Sequence, residues 1–389
     1  MRLYSIAALV AAFHSAHAID LNSQDPGSIR GVSHKVVSNL VSMMPGGLLP
    51  QAPQYYWWES GGSLGGLLEY WHATGDGSQN AMITQGLLSQ KTAANNFRTG
   101  DCTGNDDQGW WALTAMSAAE YGLPQVPGNP SWLSLAQNVF QEFTTRWDPT
   151  TCNGGMGWQI ASGASGFHYK NSISNGLFFQ LAARLARFTG NPDYTNWANK
   201  IYDWTTSVGL IDNDFKVYDG ADATKNCVGL DHNEWSYNVG VFLYGAAVMQ
   251  DYTNDPKWAP RTTGLIKSTG SFLKDGVLFE KQCEVDGKCN TDQQFFKAFL
   301  SRWLAATAVM VPSTQGAISP ILGASATAAA ATCASGGQQL CGSRWYTKAI
   351  DTVTGAGSQL AVLDVMNGLL TTSTGKPGKA SKKAKRFAA

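Results

Sequence analysis

Apolar residues along this chain recur in two rhythms. Six segments are apolar, Gly-rich and aromatic on every side: Gly61–Ala73, Asp107–Tyr121, Asn175–Phe188, Tyr237–Tyr252, Gln293–Val309 and Gly357–Leu370. Between them run segments with one apolar stripe: Gly27–Met44, Gln79–Gln90, Ser131–Trp147, Tyr194–Val208, Arg261–Lys274 and Ser319–Thr332. In Ser131–Trp147, residues Trp132, Leu135, Ala136, Val139, Phe140 and Phe143 fall at steps of three and four, the spacing of one helix face. The first set starts anew every 45 to 70 residues or so, a period typical of repeated supersecondary units. Junctions such as "HATGDGSQN", "RFTGNPDYTN" and "DYTNDPKW" end a helix at Gly or Asn and open the next with Asp or Pro. Alternating runs are short and few, so little β-structure is expected. Helices buried all round, alternating with one-faced helices, predict two concentric rings: an all-α, (α/α)6 toroid. Two stacked all-α domains are the alternative. The absence of a Pro/Ser-rich linker favours the single ring, and Ala324–Ala331 reads as helix.

The chain ends lie outside that pattern. Arg2, the short apolar run Ser5–Phe13 and Ala16-His17-Ala18 have the form of a secretory signal peptide over residues 1–18. The toroid is then expected over 19–374. From Gly375 to Ala389 the chain carries six bases and almost nothing apolar, which predicts a disordered basic tail. There is no long apolar run to span a membrane and no hydrophobic tail of the GPI-anchor type.

Composition narrows the chemistry. Lys plus Arg and Asp plus Glu both number 28, a balance that argues against nucleic acid as partner. With few charges and 14 Trp, the surface suits an uncharged polyhydroxyl ligand, although abundant Trp also serves a core. Seven cysteines in a secreted chain imply disulfides. Cys283 with Cys289, and Cys333 with Cys341, could each close a small loop, while Cys102, Cys152 and Cys227 leave one thiol over. No His stands at ligand spacing to a Cys pair, so neither metal nor cofactor is expected. Nothing bears on oligomeric state, and a monomer is the default.

Asp106 and Asp107 stand in "TGNDDQGWW". Acids at a helix start also serve as caps and dipole partners. Here Gln108, Trp110 and Trp111 follow at once, and Gly104 and Gly109 permit close approach. Sugar hydrolysis needs such a pair: one carboxyl protonates the leaving oxygen while the other attacks or activates water.

These residues carry a family resemblance. "NDDQGWWALTAMSAAEYG" resembles the signature of glycoside hydrolase family 76, the endo-α-1,6-mannanases. So do "GGMGWQI" (Gly154–Ile160), "YKNSISNGLFFQLAARLARFTGN" (Tyr169–Asn191), "VYDG" (Val217–Gly220) and "WSYNVG" (Trp235–Gly240). The cysteine pattern is most similar to the family's fungal branch, which includes cell-wall proteins. The resemblance runs from about Asp20 to Leu370. It implies an (α/α)6 fold, retention of anomeric configuration, Asp106 as nucleophile and Asp107 as acid/base. It also makes Asp219 a sugar ligand, against the alternative of a turn-forming Asp.

Trp110, Trp111, Trp158, Lys170, Asn171 and Tyr237 are further candidate substrate-binding residues. Packing is the alternative for the aromatics, and Trp57 and Trp58 are stacking candidates of the same kind. The expected partner is mannan or a mannosyl glycan, met outside the cell or in the wall. Three functions fit: hydrolysis of α-1,6-mannan, transfer of the same glycosyl unit to a wall glycan, and mannan binding without catalysis. The intact acid pair disfavours the last. Adjacent residues at a helix start project about 100° apart. Their carboxyls then stand about 5–6 Å apart, nearer the retaining than the inverting separation. Repulsion within the pair is expected to raise the pKa of Asp107.

Overall fold

The structure is a computed structural model and describes residues 18–334 and 340–380. The signal-like segment, apart from Ala18, and residues 381–389 lie outside the described residues. Twelve α-helices are present among those described: α1 (Pro26–Ser42), α2 (Trp57–Thr74), α3 (Asn80–Ser89), α4 (Asn105–Tyr121), α5 (Trp132–Arg146), α6 (Ser172–Thr189), α7 (Pro192–Ser207), α8 (Ser236–Thr253), α9 (Trp258–Ser268), α10 (Gln293–Met310), α11 (Gln315–Ala331) and α12 (Ala356–Thr371). The even-numbered helices each pack on the next, and α12 packs back on α2. That closes the inner ring. The odd-numbered helices clad it: α3 on α2, α5 on α4, α7 on α6, α9 on α8, α11 on α10 and α12, and α1 on α12. The all-α toroid expected from the two rhythms is therefore the observed fold.

Composition explains the closeness of the inner ring. Helix α2 carries Gly61, Gly62, Gly65 and Gly66. A Cβ at Gly62 would meet the Phe299 ring of α10 at 2.7 Å, and one at Gly61 would meet the Trp111 ring of α4 at 3.0 Å. Large rings thus lie on bare backbone. Polar sutures cross the same interior. Arg302 of α10 donates to Asp364 of α12 (2.7 Å) and to the Gly62 carbonyl of α2 (3.1 Å). Arg184 of α6 pairs with Glu120 (2.6 Å) and Ser117 (2.7 Å) of α4. Breaking one partner of such a buried pair costs about 3–5 kcal/mol, because it strands the other charge.

Two departures from the sequence reading have local causes. The segment expected as one helix over Arg261–Lys274 stops at Ser268, tightens into a 3-10 turn and becomes a hairpin, β4 (Leu273–Lys274) with β5 (Val277–Leu278). Asp275-Gly276 forms its turn with φ of 53° and 77°, the left-handed pair that an Asp-Gly hairpin turn requires. The second departure is the tail. From Gly375 to Ala380 it lies against the C-terminal end of the inner ring. The Gly378 N–H donates to the Glu120 carbonyl, and the Ala380 N–H to the Phe188 carbonyl, both at 3.0 Å. Arg187 Nη1 donates to the Gly378 carbonyl at 3.2 Å, and Lys376 pairs with Asp251. The expectation of disorder from Gly375 onward is corrected for these residues: last-turn carbonyls of α4 and α6 lack helical partners, and the strap supplies donors.

A small antiparallel sheet, β1 (Tyr169–Asn171), β2 (Gly220–Asp222) and β3 (Leu230–Asp231), sits before α6 and α8. Asn171 pairs with Gly220. The Tyr169 ring crosses Gly220 so closely that a Cβ there would lie 2.5 Å from it. Disulfides join Cys152 to Cys227, Cys283 to Cys289 and Cys333 to Cys341, leaving Cys102 as the free, buried thiol.

Candidate active site

The starts of the inner helices converge on one open cleft of about 780 Å³. Trp57 and Trp58 come from α2, Asp106, Asp107 and Trp110 from α4, Asn171 from the edge of α6, Tyr237 from α8, and Gln293 and Phe296 from α10. Five aspartates line it, namely Asp101, Asp106, Asp107, Asp219 and Asp292; among the described residues no Lys, Arg or His does. The converging helix N-termini offset part of that negative charge through their dipoles.

Asp106 and Asp107 occupy the second and third positions of α4, with Gly104 as N-cap. Asp107 Oδ2 accepts from the Gly104 N–H (2.7 Å), the Thr103 N–H (3.1 Å) and the Thr103 hydroxyl (3.3 Å). Asp106 Oδ2 accepts from Trp158 Nε1 at 3.0 Å, while its Oδ1 is buried with no hydrogen-bond partner among the described residues. A Cβ at Gly104 would overlap Asp106 Oδ1 and stand 3.3 Å from Asp107 Oδ2. Two oxygens placed around one point in this way stand under about 6 Å apart, short of the 6.5–9.5 Å typical of inverting glycosidases. Glycine at 104 is what leaves room for both.

Both carboxyls are held above their ordinary pKa. For Asp106 the shift is large, caused first by burial and then by the charge of Asp107. Burial also raises Asp107, but three donors to its oxygen pull it back to about 6. Asp107 is raised, as expected, but by burial first rather than by repulsion within the pair.

The other sequence candidates divide. Trp158 is 38% exposed and lines the cleft. Its backbone is laced to both neighbours, with N–H to the Tyr169 carbonyl (2.7 Å) and carbonyl to the Asn105 N–H (2.8 Å). Trp110 lies in the cleft wall, stacked between Trp58 (5.1 Å) and Trp303 (5.8 Å). Tyr237 stacks on Phe296 at 3.8 Å. Asp219 accepts from the Tyr169 hydroxyl (2.7 Å) and from Asn238 Nδ2 (3.3 Å), and burial raises its pKa. Asn171 lines the cleft while capping α6 through Ser174 N–H (3.2 Å).

Trp111 and Lys170 are elsewhere. Trp111 is fully buried against Trp57 and Phe97, outside the cleft. Lys170 Nζ is sequestered by the carbonyls of Gly154 (2.6 Å) and Thr151 (2.8 Å) and by the Asp148 carboxylate (3.1 Å). It clamps the loop that leads to Trp158. Gln108 likewise turns inward, to the Asn96 carbonyl (2.6 Å) and Glu142 (2.9 Å).

Sequence reasoning missed Tyr169, Asp292, Trp235 and Phe296 as cleft residues, and Tyr56, 55% exposed at its rim. One signal for Asp292 was available. "NTDQQFF" at the start of α10 repeats the pattern of "NDDQGWW" at the start of α4, with Asp292 in the place of Asp107.

No helix among the described residues is long and apolar enough to cross a membrane. Residues 31–381 match the sequence profile of Glycosyl hydrolase family 76. Mannan endo-1,6-alpha-mannosidase DCW1 of Eremothecium gossypii is 39% identical, over 94% of this chain and 84% of the relative. Its Saccharomyces cerevisiae counterpart of the same name is 36% identical over the same shares. Among solved structures, Dfg5 from Chaetomium thermophilum in complex with glucosamine superposes with a TM-score of 0.88 at 37% identity, covering 92% of this chain and 94% of that one. The acid pair in its aromatic cleft, the helical ring and these likenesses together place the chain in glycosyl hydrolase family 76.

Proposed function

We propose that the protein is a retaining glycoside hydrolase that cleaves α-1,6-mannosidic linkages within mannan. The observation that carries this reading is the carboxyl pair at the start of α4, under about 6 Å apart in a cleft lined by aromatic rings, amides and further aspartates. In the first step Asp106, ionised, attacks the anomeric carbon. Asp107 gives its proton to the departing glycosidic oxygen, so the C–O bond breaks as the mannosyl–Asp106 ester forms. In the second step Asp107 takes a proton from water, whose oxygen displaces Asp106 with a second inversion. The pair must enter this cycle with one proton. An acid/base with a pKa of about 6 is suited to both giving and taking a proton.

The tryptophans and Tyr237 supply apolar faces for sugar rings, and Asp219 and Asn171 supply polar contacts. An extracellular or wall-associated setting is supported by the signal-like first 18 residues and by three disulfides. The test is proton NMR of α-1,6-mannan digestion. An α-anomer appearing first is expected; a β-anomer would mean inversion, and no cleavage would remove the proposal. Adding an acceptor glycan to the same reaction separates hydrolysis from transfer.

A further inference from the structure

The cleft wall at the start of α10 holds another carboxyl, Asp292, and Glu59 of α2 is buried near it. Asp292 precedes α10, where an aspartate ordinarily caps the helix. Its side chain makes no capping bond. Capping is done instead by Asn290 and Gln293, each accepting the other's backbone N–H through its side chain at 3.0 Å. Asp292 is left to line the cleft, with Oδ1 accepting from Trp58 Nε1 at 3.0 Å.

Glu59 lies behind it, third in α2 and wholly buried. Its Oε2 accepts the Tyr56 N–H at 2.9 Å, and its Oε1 is buried without a donor among the described residues. The Asp292 carboxyl is near enough for its charge to act on Glu59. A proton on Glu59 would make the orphaned Oε1 a donor that Asp292 could accept. Burial first, and the charge of Asp292 second, push Glu59 up to about 9. Burial raises Asp292 too, while the Trp58 indole N–H lowers it, so Asp292 is an acceptor fixed from behind by that N–H with the Glu59 carboxyl beside it.

We propose that Asp292 is a sugar-binding carboxylate, accepting a hydroxyl of the glycan in the cleft that Asp106 and Asp107 also line, and that Glu59 is its positioning residue. This rests on reading the cleft as a mannoside site. It goes beyond that reading by giving a further acid, at the start of a different helix, a role in recognition.

The experiment titrates α-1,6-mannotriose into the Asp106→Asn protein, alone and combined with Asp292→Asn, Glu59→Ala or Glu59→Gln. Steady-state kinetics on mannan are measured for the last three without Asp106→Asn. Loss of a charged acceptor is expected to weaken binding by about tenfold or more and to raise KM alike, with kcat falling much less. Glu59→Ala should share the defect. Glu59→Gln should recover most of it, since its amide N–H replaces the O–H and its carbonyl still receives Tyr56. Unchanged affinity and KM in Asp292→Asn would overturn the proposal while leaving the mannoside reading intact. Glu59→Gln as impaired as Asp292→Asn would overturn the positioning role, and this comparison decides even where Glu59→Ala does not fold. Failure of the Asp106→Asn protein to bind mannotriose at all would instead sink the mannoside reading.

Discussion

Asp106 and Asp107 are neighbours in sequence but not in environment. One accepts a single indole N–H; the other accepts three donors from the Thr103–Gly104 turn. The doublet was legible in the sequence, and so was its place at a helix start. Which acid is the better solvated was not, because Trp158 reaches Asp106 from 52 residues away. Stability follows from this. A carboxyl raised in the folded state holds a proton that the unfolded chain releases from about pH 4, so stability falls as pH climbs toward the folded pKa. Asp106→Asn removes that penalty. It should abolish turnover, as should Asp107→Asn, yet raise the melting temperature at neutral pH by on the order of 2 °C, with no gain near pH 4. A melting point lowered at pH 7 would contradict the buried, donor-poor reading. Trp158 gives a sharper test. Trp158→Phe keeps an aromatic face but deletes the indole N–H, so Asp106 becomes harder to ionise. The acid limb of the pH–rate profile should move to higher pH, with kcat down by about tenfold. A profile that stays in place, with only KM altered, would make Trp158 a stacking platform and nothing more.

At the scale of elements, the inner helices point their N-terminal ends at the cleft and their C-terminal ends at the far face. Asp106 and Asp107 lie in the first turn of α4, and Arg187 in the last turn of α6. Amphipathic periodicity exposed eleven helices nearly within a turn of their bounds, because burial on one side or on all sides leaves a trace in composition. It misread Arg261–Lys274, where the Asp275-Gly276 turn signal lay just past the assumed end. It also misread Gly375–Ala380, where backbone rather than side chains makes the contacts, and backbone bonding leaves no mark on composition. Truncation after Thr374 would therefore remove donors from the Glu120 and Phe188 carbonyls and leave Asp251 without Lys376. A loss of about 1–2 kcal/mol is expected, read as a lower denaturant midpoint with an unchanged slope. An unchanged midpoint would return these residues to the status of a free tail.

On the scale of the whole molecule, no half of the chain contains the site. Its walls come from the starts of five inner helices spread from Trp57 to Phe296. The remaining inner helix, α12, closes the ring by holding α2. The Ala356 N–H donates to the Tyr55 hydroxyl (3.1 Å), Asn367 Nδ2 to the Gly66 carbonyl (3.2 Å), and Asp364 accepts from Arg302 (2.7 Å). Residues 55 and 356 are far apart in sequence, and only the repeat made their meeting predictable: a ring of like units must bring last against first. This topology implies that the cleft exists only when the ring is closed. Far-UV circular dichroism, tryptophan fluorescence and activity should therefore be lost in one coincident thermal transition. Mannotriose, bound across several helices of the inactive Asp106→Asn protein, should raise that single midpoint rather than split it. Truncation after Gly355 deletes α12, bares the faces of α2 and α10 it covered, and leaves Arg302 buried without its carboxylate. That chain should not fold at all, since an open arc retains the cost of the interior charges without the closure that pairs them. Two separated transitions in the intact protein, or a folded chain lacking α12, would show that part of the ring stands alone and that the site does not depend on its closure.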